Sequence, residues 1–167
     1  MTNQTKAGEV PYEHERRFFP ELARLPFHLY RYNATEITQG YLEDASKSRI
    51  RHEVGNSCDI YTRTQKSGEG ISRFEDEHEI TKDEFDALWV SVKCSLVKNR
   101  YYIPVGDVVY QLNIFHGELE TYVQVEVEFK THEEAVAFIP PTWLEPEVTH
   151  DNRHGNYMLA KFGIPKD

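Results

Sequence analysis

Most of this chain changes character at every second residue, the period that puts alternate side chains on opposite faces of an extended strand. The pattern is cleanest in YVQVEVEFK, where Val123, Val125, Val127 and Phe129 oppose Gln124, Glu126 and Glu128. It recurs in YEHERRFFP from Tyr12, TEITQGYLED from Thr35, SRIRHEV from Ser48 and DIYTRTQK from Asp59. It continues in GISRFEDEHEI from Gly70, LVKNRYYIP from Leu96 and VVYQLNIF from Val108. Glycine and polar residues separate these runs, as at Ser67 to Gly70 and at Gly106 and Asp107, which predicts hairpins.

Helical signals are few. Thr81 with Glu84 three residues on is a capping-box pattern, and Phe85, Leu88, Trp89 and Val92 follow at helical spacing. Thr131 with Glu134 predicts a second helix, which must stop before Pro140 and Pro141. NYMLAKFG, ending at Gly163, predicts a short third helix. ELARLP allows one turn at best. The expected fold class is mainly β (α+β): an eight-stranded antiparallel sheet closed into a barrel, with a few peripheral helices.

The polar faces of the strands change this picture. Tyr12 to Pro20 has Glu13, Glu15 and Arg17 on one face, with His14, Arg16 and Phe18 on the other. The remaining polar faces supply Arg49, Arg51, Lys66, Arg73, Glu75, Glu77, Lys98, Arg100, Glu126 and Glu128. For any single strand, a solvated exterior is the commoner explanation. As a set, the charges are sorted: acids recur as E-x-E and bases as R-x-R or K-x-R, where a merely soluble surface intersperses both signs. The helices already provide cover for the apolar faces. The charged faces are therefore expected to line the lumen of the barrel, which at this strand number holds one small ligand. Paired carboxylates offer oxygen ligands to Mg²⁺ or Mn²⁺, and clustered Arg and Lys offer charge-assisted hydrogen bonds to phosphate oxygens. A polyphosphate bound with a divalent cation needs both.

These residues also resemble a family. EHERRF is similar to the ExExK signature of the CYTH superfamily, the triphosphate tunnel metalloenzymes. QGYLED, RIR, Lys66, SRFEDEHEI, VKNRYYI, YQLNIFHGE and VQVEVEF follow in that family's order, from Glu13 to about Lys161. The resemblance implies an eight-stranded tunnel that acts on triphosphates with divalent metal. It implies metal binding by Glu13, Glu15, Glu126 and Glu128, and triphosphate binding by Arg17, Arg49, Arg51, Lys66, Arg73, Lys98 and Arg100. Glu75 and Glu77 fall at acidic tunnel positions with a role toward metal or water. Two departures stand out. Arg17 replaces the signature's lysine, and Asn113 stands where the family commonly has Asp, so Asn113 is a further metal or water candidate through its carbonyl oxygen. Lys98 is a candidate proton acceptor, with Glu13 and Glu15 completing the catalytic set. The expected reaction is metal-dependent hydrolysis of inorganic triphosphate. Alternatives are a class IV adenylate cyclase, a thiamine triphosphatase and a non-catalytic module that binds polyphosphate or nucleotide.

Composition bounds the rest. The chain has 167 residues and a formal net charge of -9, which gives it no overall pull on nucleic acid or on an anionic membrane. Neither a membrane span nor a signal peptide is expected, so a cytoplasmic protein with a reduced Cys58 and Cys94 is the expectation. Residues 1–10 read as a disordered arm and 11–167 as one tunnel domain. The small-molecule polyphosphate is the expected partner, with a homodimer as a further candidate. His150 and His154, in THDNRH, read as surface histidines, and Trp89 and Trp143 as core.

Overall fold

In β1 (Tyr12–Pro20) the acidic and basic residues of the opening motif become one wall of a barrel. The computed structural model describes residues 12–44, 48–55 and 57–166; the arm expected over 1–10 lies outside them. The other barrel strands are β2 (Ala34–Leu42), β3 (Arg49–Val54), β4 (Asp59–Ser67), β5 (Ser72–Glu79), β6 (Val92–Val105), β7 (Val108–Phe115) and β8 (Val123–Phe129). They pair antiparallel in the order β5-β4-β3-β2-β6-β7-β8-β1, and the β1–β5 pairing closes the ring into an eight-stranded barrel. A short extra strand, β9 (Leu144–Glu147), adds to β1 beyond the end of β5.

Local chemistry sets the element ends. In α1 (Lys82–Trp89), the Thr81 hydroxyl accepts from the Glu84 N–H and the Glu84 carboxylate accepts from the Thr81 N–H, the reciprocal box expected. Thr131 caps α2 (His132–Ala137) through the Glu134 N–H, and Gly163, at φ 78, ends α3 (Asn156–Phe162). Gly106, at φ 61, turns the two-residue β6–β7 hairpin. Val92, read from spacing as part of the first helix, instead opens β6, because the helix stops at Trp89.

The apolar faces point outward and are covered. Phe18, Ile103, Leu112, Val125 and Val127 pack with Trp143 and Leu144, while Leu25, Phe27 and Phe138 close over them. On the other side α1 lays Phe85, Leu88 and Trp89 against Leu42, Ile50, Tyr61 and Val92. Both clusters bury the faces that period-2 alternation marks as apolar.

A third cluster lies differently. Leu96 and Phe115 share the lumen face with Lys98, as their pairing partners show, and Phe19 follows Arg17 on the lumen face of β1. These residues pack with Leu119, Tyr122 and Leu159, so α3 seals one end of the barrel. His154, read from sequence as a surface residue, is half-buried in this seal. Its ring meets Phe19 edge-on at 5.0 Å, and Tyr122 Oη lies 2.8 Å from its Nδ1. His150 is exposed, as expected.

Candidate active site

Residues directly opposite each other across a strand pair point to the same face, so the register states which side chains share the lumen. Around the ring, Glu13 faces Arg73, Lys66 faces Glu75 and Thr64 faces Glu77. Arg49 faces Thr64 and Tyr41, and Arg51 faces Thr62 and Gln39. Arg100 faces Asn113, Gln111 faces Glu126, and Arg17 of β1 faces Glu126 to close the circuit. Every charged position singled out in the sequence falls on this face.

The bases and acids neutralise one another in two groups. Toward the start of β1, Glu13 accepts from Lys66 Nζ at 2.7 Å and Arg73 at 3.1 Å. Arg73 also reaches Glu15 at 3.0 Å, and Lys66 reaches Glu75 at 3.1 Å. Glu77 collects Arg49 at 3.0 Å and Arg51 at 3.1 Å. Deeper in, Glu126 pairs with Arg100 and lies 3.7 Å from Lys98 Nζ, and Asn113 Oδ1 accepts from Arg100 Nε at 2.8 Å. Lys98 and Glu126 are 1% and 2% exposed; Arg100 is the close partner of the Glu126 charge, and Lys98 Nζ stands further off.

Burial and neighbouring charges perturb the titrations of several lumen groups. Burial alone would raise the Glu13 carboxyl, but Lys66 and Arg73 outweigh it and hold Glu13 at about 2. Glu15 goes the other way: burial, then repulsion from Glu13 and Glu126, pushes it up to about 8. Glu126 stays far below the usual carboxylate range because Lys98 and Arg100 overcome its burial. Burial, reinforced by Arg100, pulls the Lys98 ammonium down to about 7 against the attraction of Glu126.

Carboxylate oxygens of Glu13, Glu15 and Glu128 lie within 4.8 Å of one another. This convergence suits a hard divalent cation that takes oxygen ligands. Glu126, from the same E-x-E pair, sits apart on Arg100 and Lys98, and Asn113 sits on Arg100. Sequence reasoning missed the uncharged lining: Gln39, Thr62, Thr64, Gln111 and Gln124 are buried on the lumen face. It also missed Asn156, which reaches Glu126 from α3. Following each strand's polar face to its end would have found the first five.

A closed barrel with a polar lumen of both signs and a cluster of carboxylates defines a tunnel-type binding protein for small polyanions. No protein-family model matches the chain. It is 37% identical to an inorganic triphosphatase of Nitrosomonas europaea over 134 residues, covering 77% of this chain and 85% of that protein. A crystal structure of an inorganic triphosphatase superposes with a TM-score of 0.61 at 32% identity, covering 92% of this chain and 97% of the other. A Bacillus halodurans protein proposed as an adenylate cyclase shares the fold alone, at 15% identity and a TM-score of 0.50 over 94% of each chain. The chain belongs to the inorganic triphosphatase family of CYTH-type triphosphate tunnel proteins. No helix among the described residues is long and apolar enough to cross a membrane.

Proposed function

We propose that this protein hydrolyses inorganic triphosphate to pyrophosphate and phosphate inside the barrel, with a divalent cation, Mg²⁺ or Mn²⁺. The observation that carries the reading is the convergence of the carboxylates of Glu13, Glu15 and Glu128 in a lumen that also presents Arg17, Arg49, Arg51, Lys66, Arg73, Lys98 and Arg100. Glu13, Glu15 and Glu128 are the proposed cation ligands. A bound cation would neutralise phosphoryl oxygens and polarise them toward attack. Glu126 is proposed to hold Arg100 and Lys98 in place, and Glu75 and Glu77 to hold Lys66, Arg49 and Arg51 until substrate arrives.

The ion pairs explain how a polyanion enters without leaving charges bare. Lys66 and Arg73 rest on Glu13, and Arg49 rests on Glu77. Phosphate oxygens can take over these bases while the cation takes over the carboxylates, so charge is exchanged rather than uncovered. In the chemical step, a water oxygen bonds to a terminal phosphorus as the bond from that phosphorus to the bridging oxygen breaks. The bond's electron pair leaves on pyrophosphate, and the proton of the water passes to Lys98 Nζ. A Lys98 amine at about 7 is partly neutral at neutral pH and can accept it. The surrounding guanidinium groups stabilise the charge that builds on the transferred oxygens.

The test is phosphate release from inorganic triphosphate with Mg²⁺ or Mn²⁺, and after chelation. Release that needs a divalent cation supports the reading. Metal-dependent affinity with no release would make the chain a binding module instead.

A further inference from the structure

At the sealed end of the tunnel, two buried polar atoms lack a hydrogen-bond partner among the described residues. Lys98 Nζ is buried and has no hydrogen-bond partner among the described residues, since its pair with Glu126 Oε1 spans 3.7 Å. Asn156, the first residue of α3, donates from Nδ2 to the same Glu126 oxygen at 3.3 Å. Its Oδ1 is buried and likewise has no partner.

The Asn156 amide can take only one orientation here, because turning it over would press Oδ1 against a carboxylate oxygen. Gln124 beside it is fixed in the same way: Nε2 donates to the His154 carbonyl at 3.1 Å, and Oε1 is left buried without a partner. A buried acceptor without a partner loses the hydrogen bonds it made to water, so such an atom calls for a hydrogen-bond donor. Ionised phosphate oxygens carry no proton to give, and an amide oxygen repels them. Their place is on the arginines and on Lys98. Water can give a hydrogen bond to Oδ1 while its second side meets the Lys98 nitrogen, which supplies the two or more polar partners that a buried water needs.

We propose that Asn156 Oδ1 binds and orients the water that attacks the terminal phosphoryl group, beside Lys98 at the sealed end of the tunnel. The inference rests on the hydrolase reading above. It gives α3 two tasks: Leu159 closes the barrel, and Asn156 places the nucleophile.

The test compares full-length wild type with Asn156→Leu, nearly the same volume without polar atoms. Turnover of triphosphate is measured with Mg²⁺, and affinity for imidotriphosphate, which is not hydrolysed, by calorimetry. Losing an oriented water lowers kcat by about tenfold to a hundredfold. Imidotriphosphate affinity should then stay within about twofold, because Asn156 does not hold phosphate. If leucine destabilises the chain, Asn156→Ser makes the same comparison in a smaller side chain. An unchanged kcat overturns the inference alone. A parallel loss of kcat and imidotriphosphate affinity also overturns it, by showing that Asn156 only supports Glu126. Wild type that releases no phosphate overturns the functional reading, and this inference with it.

Discussion

Replacing Lys98 by methionine should inactivate the protein and make it more stable. Lys98 is 1% exposed, and its ammonium is pulled from the usual 10.5 to about 7, by burial first and by Arg100 second. The folded state therefore prefers the neutral amine while the unfolded chain keeps the proton. At about 1.4 kcal/mol per pKa unit, a shift of this size costs the fold on the order of 4–5 kcal/mol below pH 7. This is a net cost, since the shift already contains the attraction to Glu126. The sign with pH follows: between about 7 and 10.5 the unfolded chain binds more protons, so wild type gains stability as pH rises through that window. Methionine matches the length of the apolar stem and carries no charge, so Lys98→Met should gain roughly 4 kcal/mol at pH 7 and only about 1 kcal/mol at pH 9.5. Urea unfolding of both proteins without metal at the two pH values measures this, and triphosphate turnover should fall at least about a hundredfold. A variant no more stable than wild type at pH 7, or a gap that does not shrink toward pH 9.5, would refute the reasoning.

Glu13→Ala and Glu15→Ala should each nearly abolish metal-dependent turnover while circular dichroism shows a folded barrel; wild-type rates in both would exclude them as cation ligands. Gly40→Ala should destabilise by about 1–3 kcal/mol in thermal unfolding, because a Cβ there would lie 2.7 Å from Val92 and 2.9 Å from Trp89. Unchanged stability would mean that α1 packs less tightly on β2 than described. Asn113→Asp should leave the Mg²⁺ concentration for half-maximal activity within about twofold, since Oδ1 is engaged by Arg100 Nε. A clear shift would place Asn113 at the cation.

The barrel was legible because period-2 alternation survives along nearly every strand, and the sorted charges identified the face that turns inward. The pair at Glu126 and Glu128 shows where that reading stops. Both residues lie on the lumen face, yet one is buried on Arg100 and Lys98 and the other joins the carboxylate cluster. Depth along a tunnel depends on how strands tilt and stagger, which alternation does not encode. LEPE is too short to show alternation and contains Pro146, so β9 is visible only in its pairing with β1 beyond the end of β5. His154 looked like a loop residue because its partners, Phe19 and Tyr122, are far away in sequence. Asn156 reaches Glu126 across 30 residues, and a lone Asn opening a helix gives no local sign of such a contact.

In the proposed reaction, binding energy is concentrated on the triphosphate itself. The chain carries -9 overall. The tunnel's seven bases and six acids, named above, sum to +1, which leaves -10 for the remainder. A short polyanion should therefore be drawn to the lumen and a long one kept off the surface. The most direct test is kcat/KM for inorganic triphosphate against ATP with the same divalent cation, with phosphate, pyrophosphate and cyclic AMP measured separately. Triphosphate should be preferred by at least about tenfold, roughly 1.4 kcal/mol of transition-state binding, with pyrophosphate and phosphate as products. ATP consumed as fast as triphosphate, with cyclic AMP formed, would contradict it.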